Sequence, residues 1–294
     1  MAKLVFLLLF ATTLVVNSCI ARKIGFRRNN FPYLDDGATS RIFSGHKADL
    51  GEFPWLVNLE YRSLHNKLEL LCAGSIINRR FILTAAQCVT GKMESIGKLI
   101  SVRVGEHDIR TDLDCEGNIC VDPYQRFKIE RYIVHPDYYV DGHNRIYNDI
   151  ALVQLNNDIV YSKSIAPIGL PEKNLPSLIP GQKLTVGGWG AGWMDEVWYG
   201  KNIPVKQLEN VPYVLNENCE MANSTSHLCA GEFRKDSCDG DGGGSLIRFV
   251  NHKPIIEGIV SYGYGCGMET PSVYTRVSSF YDWIRDNAVP VKHE

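Results

Sequence analysis

Three segments of the 294-residue chain carry side chains of the kinds that nucleophilic catalysis uses. Leu83-Thr84-Ala85-Ala86-Gln87-Cys88 follows an apolar run, and Asn148-Asp149-Ile150-Ala151-Leu152 opens another. Asp236-Ser237-Cys238-Asp239-Gly240-Asp241-Gly242-Gly243-Gly244-Ser245-Leu246 is a glycine-rich turn. Such chemistry needs a nucleophile, a base to take its proton and a third group to orient the base. Asp149 offers a carboxylate, but Gln87 offers only an amide, which has no lone pair that titrates near neutrality. Gly242 has no side chain. Ser245 carries a hydroxyl, yet no histidine is predicted beside it, and it reads as a turn residue.

The elements that must position these groups are short strands. Val102-Arg103-Val104, residues 128–134 and residues 273–277 alternate apolar and polar, as half-buried strands do. Ile76-Ile77, Phe81-Ile82-Leu83 and residues 255–260 are more continuously apolar, as in strands buried on both faces. Gly-, Pro- and Asn-rich breaks recur between them, which is the pattern of a β-sandwich or barrel. Only the C-terminus reads as helix: in residues 279–288, Phe280, Trp283 and Ile284 fall at i, i+3, i+4 on one face.

A net charge of −2 and the lack of a basic stripe exclude a nucleic-acid binder. Lys3 followed by an apolar run over residues 4–16 and small residues near Ala21 reads as a secretory signal peptide over residues 1–21. That run is too short to span a bilayer, so the expected product is secreted, extracellular and not membrane-bound. Residues 22–41, basic at first and then acidic with little periodicity, read as a pro-segment that ends at Ser40-Arg41. Cleavage after Ala21 leaves eight of the nine cysteines, an even number that reads as four disulfides among about 105 arrangements. Cleavage after Ser18 leaves Cys19 as an odd thiol. Tight C-x-x-C or C-x-x-H pairs are missing, so no structural metal is expected.

The order and spacing of the three segments resemble the chymotrypsin–trypsin family, in which they read T-A-A-H-C, D-I-A-L and G-D-S-G-G-P. Pro54-Trp55, Gly188-Trp189-Gly190, Ser261-Tyr262-Gly263 and Tyr274-Thr275-Arg276-Val277 extend the likeness over nearly all of residues 42–294. The resemblance implies an all-β fold of two six-stranded antiparallel Greek-key barrels, about residues 42–160 and 161–277, with a C-terminal helix at about 278–288. It also implies that Asp149 stands at the orienting carboxylate, Gln87 at the base and Gly242 at the nucleophile. Loss of base or nucleophile in such a triad costs on the order of a million-fold in turnover. A non-enzyme is therefore expected, with the Gln87 amide as the new partner of Asp149.

The family pattern leaves other parts in place. Gly240 and Gly242 match the backbone donors of the oxyanion hole, and Asp236 the pocket-floor carboxylate that selects Arg or Lys. Ser261, Gly263 and Ser272 match pocket walls, although Ser272 stands where trypsin-like members carry glycine and would intrude on the pocket. Arg41-Ile42 matches an activation site whose new amine would pair with Asp241.

Disulfides Cys72–Cys88, Cys219–Cys229 and Cys238–Cys266 follow from the same resemblance. The pair Cys115–Cys120 looks like that of arthropod clip-domain proteases, which act in haemolymph cascades of melanisation and immunity and include inactive cofactors. The expected pro-segment is too short for a clip domain and lacks its six cysteines, and Gly169 stands where the family carries the cysteine that tethers the light chain. Glu106, Asp112 and Asp114 lie where some members bind Ca²⁺, but a solvated acidic loop is the reading adopted, with no cofactor. Asn223-Ser224-Thr225 is a glycosylation acceptor. The expected function is a non-catalytic regulator or cofactor whose partners are proteins of an extracellular protease cascade. A secreted gland decoy and a residual trypsin-like endopeptidase are the alternatives.

Overall fold

The computed structural model describes residues 46–190, 206–222, 224–232, 241–263 and 270–289. The strands, in chain order, begin with β1 (His46–Lys47), β2 (Leu56–Ser63), β3 (Leu68–Ile76), β4 (Phe81–Thr84) and β5 (Gly97–Val104). Then come β6 (Cys115–Glu116), β7 (Ile119–Cys120), β8 (Gln125–Val134), β9 (Tyr139–Val140), β10 (Ile146–Tyr147) and β11 (Ala151–Leu155). The second half has β12 (Lys183–Gly188), β13 (Lys206–Val214), β14 (His227–Ala230), β15 (Ser245–Val250), β16 (Lys253–Tyr262) and β17 (Ser272–Arg276).

Two closed, six-stranded antiparallel barrels result, as the resemblance implies. The first runs β11-β4-β3-β2-β5-β8, and the second β13-β12-β15-β16-β17-β14, closed by the β13–β14 pair. In each, three strands form a meander and the fourth returns beside the first, β5 beside β2 and β15 beside β12, which is a Greek key. Closure removes sheet edges. The continuously apolar runs are the doubly buried strands: every residue of β4 and β11 is buried. Leu59, Ile82, Leu83, Val102 and Leu152 are core residues on the strands of the first barrel, and Leu184, Val186, Val211, Leu228 and Leu246 on those of the second. Each such side chain contributes roughly 1.5–3 kcal/mol on burial.

Helix α2 (Tyr281–Asn287) follows a 3₁₀ turn at Val277–Phe280, so regular helix begins two residues later than the periodicity implies. The apolar stripe behaves as expected. Phe280 and Ile284 are buried, and the rings of Phe280 and Trp283 lie 5.0 and 5.1 Å from His135 of the first barrel. A second helix, α1 (Lys92–Ile96), was not legible: five residues between Gly91 and Gly97 are too few to show a helical period.

Candidate functional site

Register decides which groups meet. In the β4–β11 ladder Ala151 faces Thr84, which sets the chain after β4 beside the chain before β11. Residues Ala86–Cys88 leave β4 in a 3₁₀ turn, and the Cys72–Cys88 disulfide ties that turn to β3. Asn148 adopts a positive φ of 51°, a conformation that asparagine tolerates better than most residues, and so turns Asp149 inward.

Gln87 and Asp149 are joined twice. The Gln87 backbone N–H donates to Asp149 Oδ1 at 2.9 Å, and its side-chain Nε2 donates to Oδ2 at 2.8 Å. The second Nε2 hydrogen goes to the Ser261 carbonyl at 2.6 Å. Two acceptors therefore fix the amide orientation, because a flipped amide would aim its oxygen at a carboxylate and a carbonyl. Ser261 Oγ donates to Asp149 Oδ2 at 2.5 Å, and Thr275 Oγ1 to the Asp149 carbonyl at 2.8 Å. Burial pushes the Asp149 carboxyl above its ordinary value, while the Ser261 hydroxyl, the Gln87 donors and the Ala86 N–H pull it back. No cation is among these partners.

Gly242 completes the constellation from the second barrel. Its carbonyl accepts the Ala73 N–H at 2.8 Å. A Cβ at Gly242 would lie 3.8 Å from Cys72 Sγ and 4.0 Å from Cys88 Sγ, ordinary contacts, so the space for a side chain is still there. Gly243 differs: with φ at +82°, its Cβ would lie 2.2 Å from Thr84 Oγ1. Ser245 opens β15 rather than lying in the turn, and its buried hydroxyl accepts Trp55 Nε1–H at 3.2 Å. That bond ties the start of β15 to the chain ahead of β2.

Asp241 is fully buried, and its Oδ1 accepts the Gly190 N–H at 2.8 Å. Gly188 and Gly190 are glycine for a steric reason. Their Cβ atoms would come within 1.9 and 2.4 Å of the Asp241 carboxylate. Between them, Trp189 Nε1 donates to the His107 carbonyl at 3.1 Å. The Ser272 hydroxyl packs against Gly263, 2.6 Å from where a Cβ would stand.

The family model described as Trypsin matches residues 42–284. The chain belongs to the trypsin family. Among relatives, it is 40% identical over 264 residues to phenoloxidase-activating factor 1 of Holotrichia diomphalia, covering 85% of this chain and 70% of that one. It is 38% identical to serine protease 7 of Drosophila melanogaster over 86% of this chain and 66% of the relative. For CLIP domain-containing serine protease B9 of Anopheles gambiae the figures are 39%, 84% and 63%. The chain thus spans just under two thirds of the length of these last two relatives.

Several positions that the trypsin family would use fall outside the described residues: Arg41, Ile42, Asp236, Gly240, the Cys238–Cys266 pair and Asn223. Disulfides Cys115–Cys120 and Cys219–Cys229 are formed. In the acidic loop Glu106 pairs with Arg103 at 2.9 Å, while Asp114 accepts the N–H groups of His107 and Asp108 and the Thr111 hydroxyl. These two carboxylates face protein donors, and Asp112 is exposed. Among the described residues no three acidic, His or Cys groups form a metal cluster. No described helix is long and apolar enough to cross a membrane.

What sequence reading missed is the second role of Ser261. It was assigned to the pocket wall, yet its hydroxyl and carbonyl are both committed to the Gln87–Asp149 pair. The Ser261-Tyr262-Gly263 triplet was the available signal.

Proposed function

We propose that this chain is a secreted, non-catalytic trypsin-family homologue that regulates an extracellular protease cascade of the melanisation type. One observation carries the reading. The Gln87 amide fills the base position with both hydrogens donated, to Asp149 and to the Ser261 carbonyl, so the group there cannot take up a proton. Gly242 adds no nucleophile, and the hydroxyl nearest in sequence, Ser245, is bound to Trp55. The names of the relatives, which include phenoloxidase-activating factors, support a cascade of this kind. Four disulfides, made by eight of the nine cysteines, would suit an oxidising extracellular setting, and three of them are formed among the described residues.

The test compares the unaltered protein, cleaved after Arg41, with a Gln87→His/Gly242→Ser variant on arginyl and lysyl esters. Turnover by the variant alone is expected, and turnover by the unaltered protein overturns the reading. Adding the cleaved protein to cell-free haemolymph then assigns the sense of regulation. Faster prophenoloxidase activation marks a cofactor, and slower activation marks a decoy.

A further inference from the structure

The end of the first barrel carries an apolar recess with a cationic border that the constellation around Gln87 does not use. The recess encloses about 290 Å³ and is lined by Tyr61, Val89, Met93, Leu99 and Tyr132, with Lys98 on its wall. Its one deep hydroxyl is already satisfied, because Tyr61 donates to the Cys88 carbonyl at 2.6 Å. This volume lies at the small end of ligand sites and suits one large side chain better than a whole small molecule.

Beside it the β2–β3 hairpin presents Leu64, 82% exposed, and Leu68, 48% exposed, and Ile96 follows at the end of α1, 46% exposed. Such a grouping marks an interaction site more often than a free surface. The exposed charges described on the hairpin and on the facing end of β5 are basic. Arg62 faces Lys98 directly across the β2–β5 ladder, with Leu68 on its other side, and His65 and Lys67 are exposed in the hairpin turn. Like charges directly opposed in a sheet cost stability. Among the described residues none of Arg62, Lys67 and Lys98 has an ion-pair partner. Arg62 reaches only the Asn66 side-chain oxygen, at 2.9 Å. The hairpin's Glu60 is buried and held by Arg103 and Arg126, and Glu69 is half-buried at the next register pair.

We propose that this surface docks an acidic peptide segment of a partner protein, with one bulky apolar side chain of that segment seated in the recess. The unopposed Arg62 and Lys98 select the acidic flanks, and Leu64, Leu68 and Ile96 cover the apolar remainder. The proposal deepens the regulatory reading and rests on it for the existence of a partner.

The probe is a fluorescein-labelled peptide with a central phenylalanine between runs of aspartate, titrated against the whole secreted protein by anisotropy. Binding is expected that weakens with salt, falls at least about tenfold in Arg62→Glu/Lys98→Glu, and falls similarly when the phenylalanine becomes alanine. Thermal melts check that the exposed substitutions leave the fold intact. No binding up to about 1 mM, or equal binding by the charge-reversed variant or by a lysine-flanked peptide, overturns the proposal. Self-association in sedimentation that Leu64→Asp abolishes also overturns it, assigning the surface to a second copy. The Gln87→His/Gly242→Ser form carries the same surface, so ester turnover by the unaltered protein would sink the regulatory reading without touching the peptide result.

Discussion

Gln87 Nε2 donates to Asp149 Oδ2 at 2.8 Å, so an amide and a carboxylate make the contact that an imidazole and a carboxylate make in a working triad. The contact is of the same kind, with an amide as its donor.

Removing the amide exposes what it does. Gln87→Ala strips a charge-assisted bond from a buried carboxylate and should cost about 1–3 kcal/mol. Burial already holds Asp149 above its ordinary value, so folding favours its protonated form. The stability it contributes is present at low pH and is lost as pH rises through the raised folded value. Loss of a donor raises that value further. The variant's deficit should therefore be larger near pH 8 than near pH 4, read from urea midpoints at both.

The two neighbouring glycines should behave oppositely. Gly242→Ser meets only contacts of 3.8 and 4.0 Å and should change stability by less than about 1 kcal/mol. Gly243→Ala combines a positive φ with a clash against Thr84 Oγ1 and the Ala73 carbonyl, and should cost at least about 2 kcal/mol. Thermal unfolding of both variants checks this.

Asp241 sits against glycines on both sides of Trp189, where the amine released by cleavage after Arg41 would have to arrive. Amide hydrogen exchange over residues 241–246 should slow on cleavage of the unaltered protein. It should not change in Asp241→Asn, since the neutral side chain offers no charge to the new amine. Equal exchange before and after cleavage of the unaltered protein would remove the switch.

Ser272 presses its hydroxyl against Gly263 where trypsin-like members carry glycine. Ser272→Gly should widen the pocket and tighten benzamidine roughly tenfold, about 1.4 kcal/mol, measured by calorimetry. Unchanged affinity would mean that Ser272 does not limit access.

Apolar runs such as Phe81-Ile82-Leu83 and alternating ones such as Val102-Arg103-Val104 made a β-sandwich or barrel legible, and the resemblance to the family supplied the two barrels. The sequence located Gln87, Asp149 and Gly242 through motif order. What it could not show were contacts between residues far apart in the chain. Trp55 with Ser245 and Ser261 with Asp149 are separated by 190 and 112 residues, and neither hydroxyl differs from an ordinary serine until the barrels close. The buried Glu60, shared by Arg103 and Arg126, was hidden for the same reason: it looks like the polar half of an alternating strand.

A hydrolase keeps some hydrogen-bonding capacity turned outward, unfilled until a substrate arrives. At Gln87 that capacity is turned inward. Its amide reaches from the turn after β4 to the carbonyl of Ser261 on β16, while Ala73 of β3 holds the Gly242 carbonyl and Trp55 holds Ser245. The cleft between the halves thereby becomes a clasp. Gln87→His would give up the amide's second bond, to the Ser261 carbonyl, and so loosen that clasp from one side.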